Sequence, residues 1–311
     1  MDYIIYIIIA VLIISYFSFS YGMYSKIFRT DPAKDYRVVN QEDPFFKPSF
    51  DWYQKVPKEE IKISSYDGYQ LNGIFIPALD EQSTSLAIVS HGYHACSDDM
   101  IAIAKLYSDM GFKVILINHR GHHGSGGGFT SFGYYEKYDV KKWIEYALRT
   151  YSATDNILLH GVSMGAATMI QSTSLNLPKN VKYIVADSGF SHLSKMFIFM
   201  LKPKFLRIFL PGISLITYLR HRFFLFQIAP IKNAKKTVIP LFIIHGEQDE
   251  MVPFSMGKLL FEASNSPYKN FHPVPDCKHG VGYIKDKQGI ESFLKSDLPK
   301  YFTLKNKLIK K

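Results

Sequence analysis

The stretch I-L-L-H-G-V-S-M-G-A-A-T-M at residues 157–169 decides how the sequence is interpreted. An apolar run at 157–159 leads into Gly161, Ser163 and Gly165 in G-x-S-x-G register, and small residues suited to a helix follow. This order predicts a strand, a sharp turn and a helix, with the Ser163 hydroxyl exposed at the turn. The glycines let such a turn close without a Cβ clash. Because a hydroxyl is a poor nucleophile without a neighbouring base, the prediction requires an acid and a base elsewhere in the chain.

Two later segments supply the candidate acid and base. An apolar run at 238–244 leads into H-G-E-Q-D-E-M-V-P, which puts Asp249 just beyond the predicted end of a strand. The segment D-C-K-H-G then puts His279 in a loop before the last predicted helix. The order nucleophile, acid, base along the chain is one of the known orders of a Ser-His-Asp triad. The alternatives are Glu250 or Asp187 as the acid and His245 or His272 as the base.

Short apolar runs alternate with helical stretches beyond residue 60. A D-G turn at 67–68 first joins two runs as a hairpin, at 61–64 and 70–76. Further predicted strands are 86–89, 114–117, 157–159, 181–186 and 238–244, and predicted helices are 98–110, 136–150, 164–175, 254–264 and 281–298. Strands that are apolar throughout are expected where helices cover both faces of a parallel sheet.

Several of these motifs together resemble one enzyme family. They are H-G-Y at 91–93, N-H-R-G-H-H-G-S at 118–125, G-V-S-M-G at 161–165, H-G-E-Q-D at 245–249 and H-G at 279–280. The sequence from about 60 to 298 resembles the α/β-hydrolases of the serine-aminopeptidase-like and monoacylglycerol-lipase-like group. The resemblance implies an α/β-hydrolase fold with a mostly parallel eight-stranded sheet, flanking helices and a helical cap after strand 6. Asn118 and the doubled His122 and His123 depart from the family pattern, which more often begins the second motif with Asp.

The resemblance also assigns roles to individual residues. Ser163 is expected to attack a carbonyl carbon, His279 to carry the proton and Asp249 to orient the imidazole. The backbone N–H groups of Tyr93 and Met164 are expected to form an oxyanion hole. The implied activity is hydrolysis of a carboxylic ester with an acyl or otherwise apolar part. Peptidase or amidase, thioesterase and acyltransferase activity use the same triad and stay open, as does a binding protein on an inactive hydrolase fold.

No cofactor or metal is expected. His119, His122 and His123 invite a metal-site interpretation, but the glycines around them and the lack of a nearby carboxylate pair favour a loop that packs against the oxyanion strand. Cys96 and Cys277 have no C-x-x-C spacing, which excludes a zinc ribbon, and free thiols are expected.

The N-terminal segment predicts a membrane anchor. Residues 3–21 carry no charge, and as a helix they would be roughly 28 Å long. Because Asp2 precedes the run and no A-x-A-like site follows, we expect an uncleaved anchor over 1–25 rather than a signal peptide. Residues 26–59 are expected to be a connecting arm and 60–311 the hydrolase domain. Basic residues follow the anchor, which favours a cytoplasmic domain by the positive-inside rule: Lys26, Arg29, Lys34 and Arg37.

An insertion at about 188–236 carries much of the formal net charge of +10. No acidic residue occurs from 188 to 246, whereas the same stretch has Lys195, Lys202, Lys204, Arg207, Arg220, Arg222, Lys232, Lys235 and Lys236. The insertion is also rich in side chains expected to line or cover an apolar pocket: Met196, Phe197, Phe199, Met200, Phe205, Leu206, Phe209 and Leu210. The sequence allows a lid that packs on the core, a lid that also contacts anionic lipid, or a second membrane span, which prolines and frequent charges disfavour. The partners expected are an ester, which could be a lipid, and a membrane, but no nucleic acid.

Overall fold

An eight-stranded sheet forms the centre of the protein in the computed structural model, which describes residues 2–34, 36–151 and 153–304. The last seven residues of the predicted 60–311 domain therefore lie outside the described residues. The strands are β1 Glu59–Ser64, β2 Gln70–Ile76, β3 Ser85–Ser90, β4 Lys113–Ile117, β5 Asn156–Val162, β6 Val181–Asp187, β7 Leu241–Gly246 and β8 Lys269–Val274. Their order in space is β1-β2-β4-β3-β5-β6-β7-β8. β2 pairs antiparallel with β1 and β4, and every other pairing is parallel, which confirms the predicted mostly parallel sheet.

Helices cover both faces of this sheet. The helices are α1 Asp2–Phe28, α2 Lys47–Lys55, α3 Ile101–Asp109, α4 Glu136–Thr150, α5 Met164–Ser172, α6 Leu193–Met200, α7 Leu210–His221, α8 Pro230–Ala234, α9 Phe254–Ala263, α10 Gly282–Lys285 and α11 Lys287–Asp297. One core cluster joins the sheet to α2, α3 and α11, and a second joins it to α4, α5 and α9. Every residue of β3, β4 and β7 is buried, as expected for strands between two layers of helices.

Some elements differ from the sequence-based expectation. The predicted helix at 281–298 is two helices, because Asp286 lies between α10 and α11 and its Oδ1 accepts a hydrogen bond from Gly289 N at 3.0 Å as an N-cap. Within the predicted connecting arm, α2 forms with Pro48 in its first turn and buries Phe50. β8 has no apolar run in the sequence, because this edge strand contains Pro273 and has mostly half-exposed side chains.

The N-terminal helix α1 has two halves with different surroundings. Within the described ranges it is the one helix long and apolar enough to cross a membrane. The side chains of residues 3–15 are all exposed. From Tyr16 onward the helix packs on α7, and its last turns bury Tyr24 and Phe28 completely or nearly so. The second half of α1 is therefore part of the domain built on the sheet.

A cap made of α6, α7, α8 and short 3-10 turns connects β6 to β7, at the position predicted for the insertion. Phe197, Ile213 and Phe223 are buried in a third core cluster, which also contains Tyr24 and Phe28 of α1. The cap and the second half of α1 thus share one apolar core above the carboxyl ends of the parallel strands.

Candidate active site

Ser163 lies at the sharp turn between β5 and α5. Its backbone has φ 55° and ψ −113°, a conformation in which L residues are strained and which often marks a functional site. The turn packs closely on the end of β3. A Cβ on Gly165 would lie 2.6 Å from the His91 carbonyl oxygen, and a Cβ on Gly161 would lie 2.3 Å from the Gly165 carbonyl carbon. Both glycines are therefore required by close backbone approach.

A chain of hydrogen bonds leads away from the Ser163 hydroxyl. Ser163 Oγ donates to His279 Nε2 at 2.7 Å. His279 Nδ1 donates to Asp249 Oδ2, also at 2.7 Å. The structure thus brings together the three residues that the sequence analysis singled out, from the ends of β5 and β7 and from the loop before α10.

Asp249 is buried and held by several donors. Its Oδ1 accepts from the backbone N–H of Met251 at 2.9 Å and of Val252 at 2.7 Å, and His245 Nε2 lies 3.4 Å from its Oδ2. Burial alone would raise the pKa of Asp249, but contacts with His245 and His279 and the backbone donors outweigh burial and hold the pKa well below its usual range. The carboxylate next to His279 is therefore ionised at neutral pH.

The alternative acids and bases occupy other positions. Asp187 ends β6, and its Oδ1 accepts from Ser188 Oγ at 2.8 Å rather than from His279. Glu250 is exposed. His245 Nε2 donates to the carbonyl of Val252 at 3.0 Å and so braces the Asp249 loop, while His272 pairs with Asp286 at 2.7 Å.

The end of β3 places Tyr93 beside Ser163. A Cβ on Gly92 would lie 3.3 Å from Ser163 Cβ and 3.8 Å from its Oγ. Met164 begins α5, so its N–H points out of the helix N-terminus, where partial positive charge accumulates. Within the described ranges, the N–H groups of Tyr93 and Met164 donate no hydrogen bond to another residue.

The histidine-rich loop after β4 packs beneath this strand end. His91 Nδ1 donates to the Gly92 carbonyl at 2.7 Å and its Nε2 accepts from His119 N at 3.0 Å. His122 Nδ1 donates to the Arg120 carbonyl at 2.9 Å. Burial lowers the pKa of His119 and His122 to about 4, so both imidazoles are neutral at pH 7. These rings support the backbone around Tyr93.

One side-chain cluster has donor atoms close enough for a metal ion. Those of Cys96, Asp98 and His123 lie within 4.8 Å of one another. However, Asp98 is already paired with Arg37 at 2.8 Å, and burial raises the pKa of the Cys96 thiol to about 12. A protonated thiol, and a carboxylate that is already paired with a guanidinium, are poor metal ligands. Cys277 is also a free, buried thiol.

Two cavities meet at Ser163 and share Tyr93, Met251 and His279 in their walls. The first, called here the apolar cavity, has a volume of about 210 Å³ and is otherwise lined by Ile27, Phe132, Met164, Phe190, Met196, Phe197, Met200, Leu201 and Val252. The second, the arm-side cavity, has a volume of about 400 Å³ and reaches residues 38–46 of the arm and the 281–284 segment. A substrate can therefore extend in two directions from the serine.

The cap residues expected to face the pocket divide into two groups. Met196, Phe197 and Met200 line the apolar cavity. Phe205 is 63% exposed and lines neither cavity. Phe209 packs on α1 instead, with its ring centroid 4.3 Å from that of Phe19. The sequence pattern could not separate these residues, because an apolar side chain looks the same whether it faces a pocket, a neighbouring helix or the surface.

Comparison with known proteins shows the family to which this chain belongs. The model of the prolyl oligopeptidase family matches residues 99–296, which is more than half of the chain. The chain belongs to the prolyl oligopeptidase family. This prolyl oligopeptidase family member is therefore a hydrolase with the α/β-hydrolase fold, which confirms the predicted fold and the coarse class of activity.

Individual relatives are distant. The chain is 25% identical over 257 residues to the uncharacterized protein YqkD of Bacillus subtilis (strain 168), covering 81% of this chain and 83% of YqkD. It is 28% identical over 237 residues to protein bem46 of Schizosaccharomyces pombe, covering 73% and 74%. The esterase Pf2001 of Pyrococcus furiosus superposes with a TM-score of 0.67 at 24% identity, covering 88% of this chain and 99% of the esterase. The structural likeness shows a shared fold.

Two features of the site in this family member were not found from the sequence. Ile27 of α1 lines the apolar cavity, although it follows Lys26 beyond the apolar run and nothing in the sequence marks it as a cavity residue. Ser188 accepts a hydrogen bond from Gly280 N at 3.1 Å and so ties β6 to the His279 loop. In the sequence, Asp187 and Ser188 form a polar pair directly after the predicted strand at 181–186, and this pair is the signal that could have identified Ser188.

Proposed function

We propose that the protein is a serine hydrolase that cleaves carboxylic esters with an apolar acyl group through Ser163, His279 and Asp249. The observation that carries this proposal is the continuous chain of two 2.7 Å hydrogen bonds from Ser163 to Asp249, which opens directly onto the apolar cavity. Nucleophile, base and acid need this spacing for proton transfer.

In the proposed reaction, Ser163 Oγ attacks the ester carbonyl carbon while His279 Nε2 accepts its proton. Asp249 holds Nδ1–H in place, so that Nε2 is the free base, and stabilises the imidazolium that forms. The tetrahedral intermediate then collapses, His279 gives the proton to the departing alkoxide, and an acyl-Ser163 ester remains. Water attacks this ester with the same proton transfers in reverse order and releases the acid.

The oxyanion of both tetrahedral intermediates is proposed to bind the N–H groups of Tyr93 and Met164. Their position at the end of β3 and at the N-terminus of α5 supports this role. Such a donor contributes about 3 kcal/mol to transition-state stabilisation.

The cavity chemistry favours an acyl group over a charged one. The titratable side chains that line the apolar cavity are His279, at the site itself, and Tyr93. A charged group there would lose its hydration without a counter-charge. Peptidase activity is the second candidate, because the family model is that of oligopeptidases. Thioesters and acyl transfer would use the same acyl-Ser163 intermediate.

Labelling with a fluorophosphonate probe tests the nucleophile. Wild-type protein is expected to be labelled and Ser163→Ala is not, with Ser174→Ala as a matched control, because Ser174 Oγ only bonds the Gln171 carbonyl on the far side of α5. Absence of Ser163-dependent labelling would leave a binding protein on a hydrolase fold. A panel of acyl esters, thioesters and amino-acid amides then separates the remaining candidates by kcat/KM.

We further propose that α1 anchors the enzyme in a membrane with the hydrolase domain on the cytoplasmic side. The exposed apolar side chains of residues 3–15 support the anchor, and the basic residues that follow it support the orientation. Protease protection in sealed inverted vesicles tests the orientation: a cytoplasmic domain is digested there and protected in right-side-out vesicles.

A further inference from the structure

The free half of α1 is too short to cross a bilayer on its own. Residues 3–15 are exposed and give a helix of about 20 Å, whereas the hydrocarbon core is about 30 Å thick. The missing length of about 10 Å corresponds to the next turns, which begin at Tyr16. Those turns are already packed against the cap.

The contact between these turns and the cap is well made. Tyr16 OH donates to the Ile208 carbonyl at 2.9 Å and accepts from Gly212 N at 3.1 Å, which satisfies cap backbone groups as a membrane requires. A Cβ on Gly212 would lie 2.4 Å from Ser20 Oγ, so the two helices touch at backbone distance. The cap must therefore move with α1 to the depth at which α1 lies.

We propose that the cap and the second half of α1 are inserted together into one lipid leaflet, and that the apolar cavity takes its acyl chain directly from that leaflet. The second part of this proposal rests on the proposed function. The depth implied for the cap is the boundary between headgroups and acyl chains, about 5–10 Å below the surface, where amphipathic helices bind.

The outer surface of the cap has the composition that such insertion needs. Phe205, Ile208, Leu219 and Phe226 of the cap expose between 59% and 63% of their surface. Basic side chains on the same segment are not opposed by any acidic residue of the cap, and their long stems can reach anionic headgroups: Lys202, Lys204, Arg207, Arg220 and Arg222.

The α7 helix is oriented consistently with this depth. Gly212, near its start, contacts Ser20, whereas Arg220, near its end, lies over the rings of Tyr21 at 5.4 Å and Tyr24 at 5.9 Å. The start of α7 thus contacts α1 at Ser20, and its basic end contacts α1 nearer the end of that helix, at Tyr21 and Tyr24. Tyr and Arg are enriched at membrane interfaces.

The apolar cavity lies between these two inserted elements. Ile27 of α1 faces it from one side, and Met200 and Leu201 at the end of α6 face it from the other. An acyl chain that leaves the leaflet along the α1–cap contact reaches Ser163 without crossing water.

Depth-dependent quenching of a fluorophore tests the insertion. Full-length Leu219→Cys and Ile208→Cys proteins, labelled with an environment-sensitive dye in phosphatidylcholine–phosphatidylglycerol vesicles, are expected to lose fluorescence when the lipids carry a doxyl quencher near the headgroup. Leu79→Cys is the control, because this 81% exposed leucine lies near the opposite edge of the sheet. The unsubstituted protein serves as the labelling blank, since Cys96 and Cys277 are buried.

The insertion is wrong if the two cap labels are quenched no more than Leu79→Cys while a label at Val11→Cys is quenched. Cap labels that become shielded from water only at high protein concentration, and that the lipid quencher does not reach, would point to a second copy of the chain, which also overturns the proposal.

The acyl route has a separate readout. Leu219→Asp is expected to lower hydrolysis of a long-chain ester in vesicles at least about fivefold and to leave hydrolysis of a soluble acetyl ester unchanged, whereas Leu79→Asp changes neither. Equal loss on both substrates, or no loss, contradicts the route. If wild-type protein hydrolysed no ester, the proposed function would fail while the quenching result would stand.

Discussion

Ser163 combines a strained backbone with close contacts to two neighbouring strand ends. The positive φ of Ser163 and the two flanking glycines serve the same sharp turn. The turn can be sharp only if the backbones of β3 and α5 touch. Beside it, two buried aspartates, Asp249 and Asp187, end neighbouring strands but have opposite shifts in pKa.

Gly165→Ala is expected to destabilise the protein by roughly 2–4 kcal/mol. The added Cβ would lie 2.6 and 2.7 Å from the carbonyl oxygens of His91 and Ser90, and backbone atoms cannot move aside. Thermal unfolding of the variant measures the effect. Gly128→Ala is the control, since its Cβ would meet its nearest neighbour at 4.0 Å and it should unfold like the wild type.

Asp249→Asn is expected to reduce kcat about 10,000-fold, because an amide at this position favours the wrong tautomer of His279. Asp187→Asn should stay within about tenfold of the wild type, since its carboxylate bonds Ser188 and not His279. Steady-state kinetics on the best ester of the panel compare the two variants. The reverse ranking would make Asp187 the acid.

For Asp187 and Asp249 we expect opposite effects of ionisation on the free energy of unfolding. Burial raises the pKa of Asp187 to about 6, so its contribution to stability is complete below its ordinary pKa of 3.8 and is lost as the pH rises through 6. Asp187→Asn should therefore stabilise the protein above pH 6, by up to about 3 kcal/mol, with no gain near pH 4. Asp249→Asn should destabilise it at neutral pH. Thermal unfolding at pH 4 and pH 8 checks both signs.

Individual elements differ in how far the sequence predicts them. The strands β3 to β7 and the elbow were predictable, because strands buried on both faces read as uninterrupted apolar runs with turn residues at their ends. The break at Asp286 and the edge strand β8 were not, since each depends on a single cap or on pairing with a distant strand. The three residues of the hydrogen-bonded chain were found by motif, but the cavity wall from Ile27 was not, because it depends on how α1 packs.

Ile27→Ala is expected to shift the preferred acyl length of ester substrates toward longer chains by enlarging the apolar cavity. The substitution removes atoms from the wall of the apolar cavity. The ratio of kcat/KM between long-chain and short-chain esters should therefore change by about 10-fold or more. Ile14→Ala is the matched control, because Ile14 lies on the exposed half of the same helix. A chain-length profile with p-nitrophenyl esters distinguishes them, and identical profiles would remove Ile27 from the acyl site.

In the whole molecule, the boundary between the exposed apolar segment and the packed domain lies inside α1 rather than after it. Tyr24 OH bonds His221 Nε2 at 2.6 Å, and the Phe28 ring contacts those of Phe132, Phe197 and Phe223. A soluble version of the enzyme that lacks all of α1 would expose this aromatic core.

Removal of residues 2–15 is therefore expected to leave the melting temperature close to that of the full chain, whereas removal of 2–28 should lower it by at least about 5 °C. The longer deletion loses the buried side chains of Tyr24 and Phe28, whereas residues 3–15 of the shorter one are all exposed. Thermal unfolding of both in the same detergent compares them. Equal melting temperatures would show that the second half of α1 contributes nothing to the domain.

The contact between Tyr16 and Ile208 also fixes an order of events during synthesis. These residues are 192 positions apart, so at about 5–20 residues per second the cap follows α1 from the ribosome by roughly 10–40 s. During that interval the turn of α1 around Tyr16 lacks its partner in the cap, and the apolar cavity lacks the cap side of its wall. The first segment made is thus among the last to become part of a finished site, and a newly made chain completes the wall of the apolar cavity only long after α1 has left the ribosome.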